Sequence, residues 1–197
     1  MRPNLASLVG SRICHDLISP IGAIGNGLEL LALTDGDPGA EMELIADSVQ
    51  NASARIRFYR IAYGAASADQ LLGSADILPV ISVLARGGRF TYFWQVAEPR
   101  PRREVRCALL LLQCFEAAMP VGGDIHVSVI DNRWVLSAES LRFTIDPGLW
   151  DSLANGGDAS YVYSAAQVQF ALLPDMLHEA ERDVQIKMSS DRIVASF

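Results

Sequence analysis

An α+β architecture follows from three features of the 197-residue chain. Two heptad-spaced apolar seams fill the first third, the period changes after a small and polar stretch, and the remainder alternates strands and helices joined by hairpins. The predicted arrangement is an antiparallel helical hairpin over residues 1–70, dimerising into a four-helix bundle, and a two-layer α/β sandwich over residues 71–197. At 50% hydrophobic and 20% charged residues, the chain can bury a proper core, which excludes disorder and a disulfide-stapled miniprotein.

The first seam runs Cys14, Leu17, Ile21, Ile24, Leu28 and Leu31, in alternating steps of three and four that define one helix face. Turn formers at residues 34–39 (TDGDPG) end that helix. A second seam follows at Met42, Ile45, Val49, Ala52, Ile56, Tyr59 and Tyr63. Two seamed helices and a short loop make a hairpin with only two layers, so a second copy is expected to cover the remaining apolar stripe. Residues 65–74 (AASADQLLGS) read as the boundary.

Beyond it, residues 76–85 predict a short helix ended by Gly87 and Gly88, and residues 89–96 (RFTYFWQV) a strand. Pro99 and Pro101 open an apolar helix running to about residue 119. Ile125, Val127 and Val129 alternate on one strand face, and Asp131-Asn132 turns the chain into a strand from Trp134. A small helix over 149–153, a glycine loop at 156–157 and a long helix over 164–182 come next. Strands over 184–188 and 192–197 close the chain as a hairpin.

Net charge is −7, which disfavours nucleic acid and anionic membrane surfaces as partners. The start reaches charged residues too early for a signal-peptide core, and the apolar run at 108–112 is too short to span a bilayer, so a cytoplasmic protein is expected. The three cysteines lack CxxC spacing, and Cys14, Cys107 and Cys114 are expected in cores as reduced thiols. His126 and His178 read as solvated, and no metal cluster is visible. The basic patch at residues 99–103 reads as a solvated helix start.

One stretch carries a specific chemical signal: His15-Asp16-Leu17-Ile18-Ser19-Pro20. His15 follows a seam position and so falls on the flank of the hairpin. Ser11 and Ser19 lie one turn to either side and Gly22 two turns on, small residues that clear space around the imidazole. Pro20 removes a helical hydrogen bond just beyond the histidine and is expected to bend the helix.

This segment resembles the H box of histidine kinases, and residues 15–31 (HDLISPIGAIGNGLELL) resemble the ChpT-type histidine phosphotransferases of alphaproteobacterial phosphorelays. The resemblance implies a homodimer with its histidines on a four-helix bundle, and a second domain similar in fold to the kinase ATP-binding domain but without its activity. Where kinases carry a Mg²⁺-holding asparagine, this chain has Glu116. Where they carry Asp-x-Gly-x-Gly it has residues 137–141 (SAESL), and residues 161–167 (YVYSAAQ) replace the glycine-rich lid. Phosphate cradling needs backbone amides that glycine exposes freely, so no ATP site is expected.

The resemblance then implies that phosphate arrives from and leaves to protein partners. The receiver domain of a hybrid histidine kinase would be the donor, and receiver domains of response regulators the acceptors, each bringing its own aspartate and Mg²⁺; the chain itself would bind no cofactor. His15 is the expected phosphoryl acceptor, since a neutral imidazole nitrogen is a competent nucleophile near neutral pH, and Asp16 the residue that orients it. Docking is expected on Ser11, Arg12, Ile18, Ser19 and Gly22, with Arg12 offering a charge to an acidic receiver and Ile18 an apolar contact. Two alternatives remain open on the sequence: an ATP-using histidine kinase with an atypical nucleotide site, and a non-catalytic scaffold that docks receivers.

Overall fold

The computed structural model describes residues 4–33, 38–67, 69–86, 88–158 and 160–197. Two long helices open the chain, α1 (Leu5–Leu33) and α2 (Gly39–Ala62). The breaker-rich turn expected between them falls largely on residues 34–37, outside the described residues, as does Gly87. α1 runs continuously through Pro20, which is buried. The two helices approach closely at Gly27, where a Cβ would lie 2.6 Å from Ile45 Cγ1.

Ladder and helix then alternate: β1 (Leu71–Leu72), α3 (Ser74–Ala85), β2 (Phe90–Gln95), β3 (Arg100–Pro101) and α4 (Arg102–Ala118). They are followed by β4 (Gly123–Ile130), β5 (Arg133–Glu139), α5 (Pro147–Ala154), α6 (Val168–Glu179), β6 (Gln185–Met188) and β7 (Arg192–Ser196). The main sheet has the order β2-β4-β5-β7-β6, parallel only between β2 and β4. Asp131 and Asn132 both take positive φ, 49° and 61°, the backbone of a tight two-residue hairpin turn. Gly122 also has positive φ, 85°, and its α-carbon faces the Arg89 carbonyl so closely that no side chain fits.

Two expectations are corrected. The boundary stretch holds a strand, β1, paired antiparallel with β3; two-residue ladders have no period for a sequence to display. The last long helix is shorter than 164–182. Ser164 and Gln167 form a reciprocal capping box, so residues 165–167 wind as a 3₁₀ turn before α6, which ends at Glu179.

The core lies between the sheet and its helices. On the sheet, Ile125, Val127, Trp134, Leu136, Ala138, Ile193 and Ala195 are buried, and α4 contributes nearly its whole circumference. The Trp134 indole N–H donates to Glu104 Oε2 at 2.9 Å, while Arg182 pairs with Oε1 at 2.7 Å, so the buried Glu104 carboxylate is partnered on both oxygens. Phe58, Tyr59 and Ala62 at the end of α2 join the same core. The basic patch is partly tied down: Arg100 donates to Asn132, and Arg102 donates to Gln70 and to the Arg60 carbonyl, while Arg103 is exposed as expected.

The hairpin is covered on one side only. Leu17, Ile24 and Leu31 are half-buried toward α2, whereas Cys14, Ile21 and Leu28 are exposed, so Cys14 is not a core residue within one chain. By length and composition α1 is apolar enough to cross a bilayer, which the run at 108–112 did not suggest. It carries Arg12, His15 and Asp16 and lies along α2.

Candidate phosphotransfer site

His15 stands on α1 with 84% of its side chain exposed. Its neighbour Asp16, rotated about 100° around the helix, points back toward α2 and is only 10% exposed. The two side chains still meet, with His15 Nδ1 3.0 Å from Asp16 Oδ1. Asp16 Oδ2 takes two further partners. Arg12, one turn earlier, brings Nε to 2.8 Å, and Tyr59 on α2 donates its hydroxyl.

These partners decide the charge on Asp16. Burial alone would raise its pKa, but the hydrogen bonds from His15 and Tyr59 and the charges of Arg12 and Arg55 outweigh it, and the carboxyl sits below its ordinary range. An ionised carboxylate only accepts hydrogen bonds, so the proton between His15 and Asp16 belongs to His15 Nδ1. In the neutral ring the lone pair is then on Nε2, the nitrogen facing away from Asp16.

Of the expected docking residues, Ser11, Ile18, Ser19 and Gly22 are exposed beside the imidazole, and a Cβ at Gly22 would meet nothing within 4 Å. Arg12 is placed differently. It turns inward to Asp16 and donates Nη1 to the Ala166 carbonyl at 3.4 Å, so its charge serves the interior of the site.

Behind Asp16 lies a cavity of about 290 Å³, lined among others by Arg12, Arg55, Tyr59, Tyr92 and Glu116. Glu116 accepts a hydrogen bond from the Tyr92 hydroxyl at 2.8 Å, and burial pushes its carboxyl up to about 7 against that bond's pull. The segment at 161–167 is pinned by its tyrosines. Tyr161 donates to Asp146 Oδ2 at 2.9 Å, and Tyr163 is buried 2.7 Å from the Ser152 hydroxyl.

The remaining singled-out residues lie apart from this site. His126 is half-exposed, its ring stacked 4.4 Å from Phe93 rather than simply solvated, and His178 is exposed. Cys107 and Cys114 are buried in α4, and burial lifts the Cys107 thiol to about 12. Among the described residues no group of side chains is arranged to hold a metal ion. The residue that sequence reasoning missed is Tyr59: its seam position marked it as packing, and nothing in the pattern announces a cross-helix hydroxyl.

Comparison with known proteins identifies the family. The family model for the histidine phosphotransferase C-terminal domain matches residues 74–192. The protein phosphotransferase ChpT of Brucella abortus (strain 2308) is 36% identical over 201 aligned residues, covering 98% of this chain and 94% of that protein. The solved structure of a bacterial phosphotransferase superposes with a TM-score of 0.80 at 33% identity, covering 98% of this chain and 95% of the other. The chain therefore belongs to the histidine phosphotransferase family and is a phosphotransferase of a phosphorelay.

Proposed function

We propose that His15 carries the phosphoryl group between receiver domains and that Asp16 orients it. The observation that supports this reading is the exposed imidazole whose Nδ1 is held by a carboxylate that stays ionised. In the forward step the Nε2 lone pair forms a bond to phosphorus as the P–O bond of the donor's aspartyl phosphate breaks, its electron pair returning to the donor carboxylate. Nδ1 keeps its proton, so the phosphorylated ring carries positive charge beside Asp16, which stabilises it. The acceptor aspartate reverses the step. Such transfer asks for in-line positioning and charge neutralisation rather than covalent work, and the Mg²⁺ that neutralises the phosphoryl oxygens comes with the receiver.

The donor is the receiver of a hybrid histidine kinase and the acceptors are response regulators, all in the cytoplasm. They dock on Ser11, Ile18, Ser19 and Gly22 around the imidazole. The working form is a homodimer, because Ile21 (58% exposed), Leu28 (53%), Met42 (52%) and Ile56 (53%) form the uncovered half of both seams. A second hairpin laid on that face completes a four-helix bundle. On this reading the chain does not use ATP: where the resemblance to histidine kinases implies a Mg²⁺-holding asparagine and a glycine-rich lid, it has Glu116, hydrogen-bonded to Tyr92, and a segment at 161–167 pinned by Tyr161 and Tyr163.

Incubation with a phosphorylated receiver tests the reading. Acid-labile phosphohistidine should appear on the wild type and return to a second receiver, while His15→Ala should do neither. A docking scaffold would acquire no phosphate, and autophosphorylation with labelled ATP would mark a kinase instead.

A further inference from the structure

We infer that Tyr59 is a positioning residue for phosphoryl transfer: its hydroxyl, reaching across from α2, holds the Asp16 carboxylate in the orientation that keeps the proton on His15 Nδ1 and the lone pair on Nε2. The inference rests on His15 being the phosphoryl acceptor. Its first support is the contrast between neighbours. Phe58 and Tyr59 are both buried, at 3% and 6% exposure, and packing alone would be met by a second phenylalanine. A buried phenol instead requires a partner, and the Tyr59 hydroxyl finds Asp16.

A second support is what Arg12 cannot do. It sits on the same helix as Asp16, at i−4, so the pair by itself ties the carboxylate only to α1. Tyr59 belongs to the other helix and has two side-chain torsions, so its contact fixes Asp16 relative to the hairpin. The phenol is in turn held from behind. Its ring stacks on Tyr63 with centroids 5.4 Å apart and planes 7° from parallel, and the Tyr63 hydroxyl donates to Gln113 Oε1 on α4 at 2.9 Å. The acid beside the reactive histidine is thereby braced through two tyrosines against the second domain. Burial, together with Asp16, raises the Tyr59 pKa, so the phenol remains a donor throughout the working pH range.

The test is Tyr59→Phe in the full-length protein, read in three ways. Far-UV dichroism and the dimer mass verify that the fold survives loss of one oxygen. Nitrogen-15 NMR of the His15 ring in the unphosphorylated protein, at a pH where the ring is neutral, should show a smaller Nδ1–H share than in wild type. Transfer from a saturating phosphorylated receiver should slow about tenfold, with the receiver concentration for half-maximal rate unchanged. If Tyr59 acts through Asp16, adding Tyr59→Phe to Asp16→Asn should cost little more than Asp16→Asn alone. An unchanged tautomer share with an unchanged rate would overturn the inference, and so would full additivity in the double variant. Because the tautomer is read without phosphate, a wild type that gains no phosphohistidine would refute the His15 assignment while leaving the Tyr59 contact separately measured.

Discussion

The helices α1 and α4 lie in the same chain and are built on opposite terms. Of the 29 residues of α1 only Pro20 and Gly27 are buried, whereas 13 of the 17 residues of α4 are. α4 is enclosed by the sheet on one side and by α2 and α6 on the other, so its burial is complete within one chain. α1 meets α2 along one line of its seam and leaves Cys14, Ile21 and Leu28 bare along the other. Apolar residues on both faces of a seam mark a surface awaiting a partner. His15, the proposed phosphoryl acceptor, stands on the incomplete element, open to a receiver, and Asp16 is braced against α4 only through Tyr59 and Tyr63.

Substitutions that exchange the behaviour of the two regions give the largest effects. Leu28→Glu puts a charge on the bare line of α1 and should convert the proposed homodimer to monomers by light scattering, with residues 71–197 still folded. Leu111→Ala, in the enclosed helix, should lower unfolding free energy by about 2–5 kcal/mol while the dimer mass holds. A wild type that is already a well-folded monomer at micromolar concentration would break the comparison outright.

Within the site the same contrast separates His15 from Asp16. On the proposed roles, with the exposed histidine carrying the phosphoryl group and the inward-facing acid orienting it, Asp16→Asn should keep measurable transfer, within about two orders of magnitude of wild type. A loss as complete as in His15→Ala would make Asp16 indispensable and not merely orienting. Gly22→Trp should act more mildly, since the glycine touches nothing in its own chain. Steric conflict with a docked receiver should slow transfer several-fold, roughly 1 kcal/mol, with melting temperature and dimer mass unchanged. Identical kinetics in Gly22→Trp would move the docking surface elsewhere.

How much of this was legible in the sequence follows the reach of each signal. Periodicity marks both seams and the strand at 124–130, and local composition marks the other strands of the main sheet and the hairpin turn at Asp131, because these depend on neighbours a few residues away. It does not say which half of a seam is covered within one chain, so Cys14 reads as core and stands exposed. Arg12 reads as a docking charge from its place on the helix face, yet it turns inward because Asp16 lies one turn ahead and the Ala166 carbonyl comes within reach from 154 residues away. Tyr59 reads as packing, since its hydroxyl acquires a role only when α2 folds back over 43 residues of chain to meet Asp16. Glu116 is visible as a departure from the kinase pattern, but the upward shift of its carboxyl comes from burial in the cavity and not from its neighbours in sequence.

That carboxyl supplies the smallest expected effect. Burial raises the Glu116 pKa from 4.5 to about 7, while the hydrogen bond from Tyr92 opposes the shift. Between those values the folded protein holds a proton that the unfolded chain has released. The contribution of Glu116 to stability is therefore full below about 4.5, is lost as pH rises toward 7 and is level above it. Asp16 runs the other way and outside this window: its lowered pKa supplies stability that is lost only as pH falls through the carboxylate range. Glu116→Gln removes the titration but can still accept from Tyr92, so its stability should stay flatter where the wild type declines, by at most about 3 kcal/mol. Denaturant midpoints from about pH 5 to about pH 8 measure the difference, and the histidines, common to both proteins, cancel from it. Parallel midpoint curves would show that Glu116 is already ionised behind Asp16, and the cavity would then hold two negative charges instead of one.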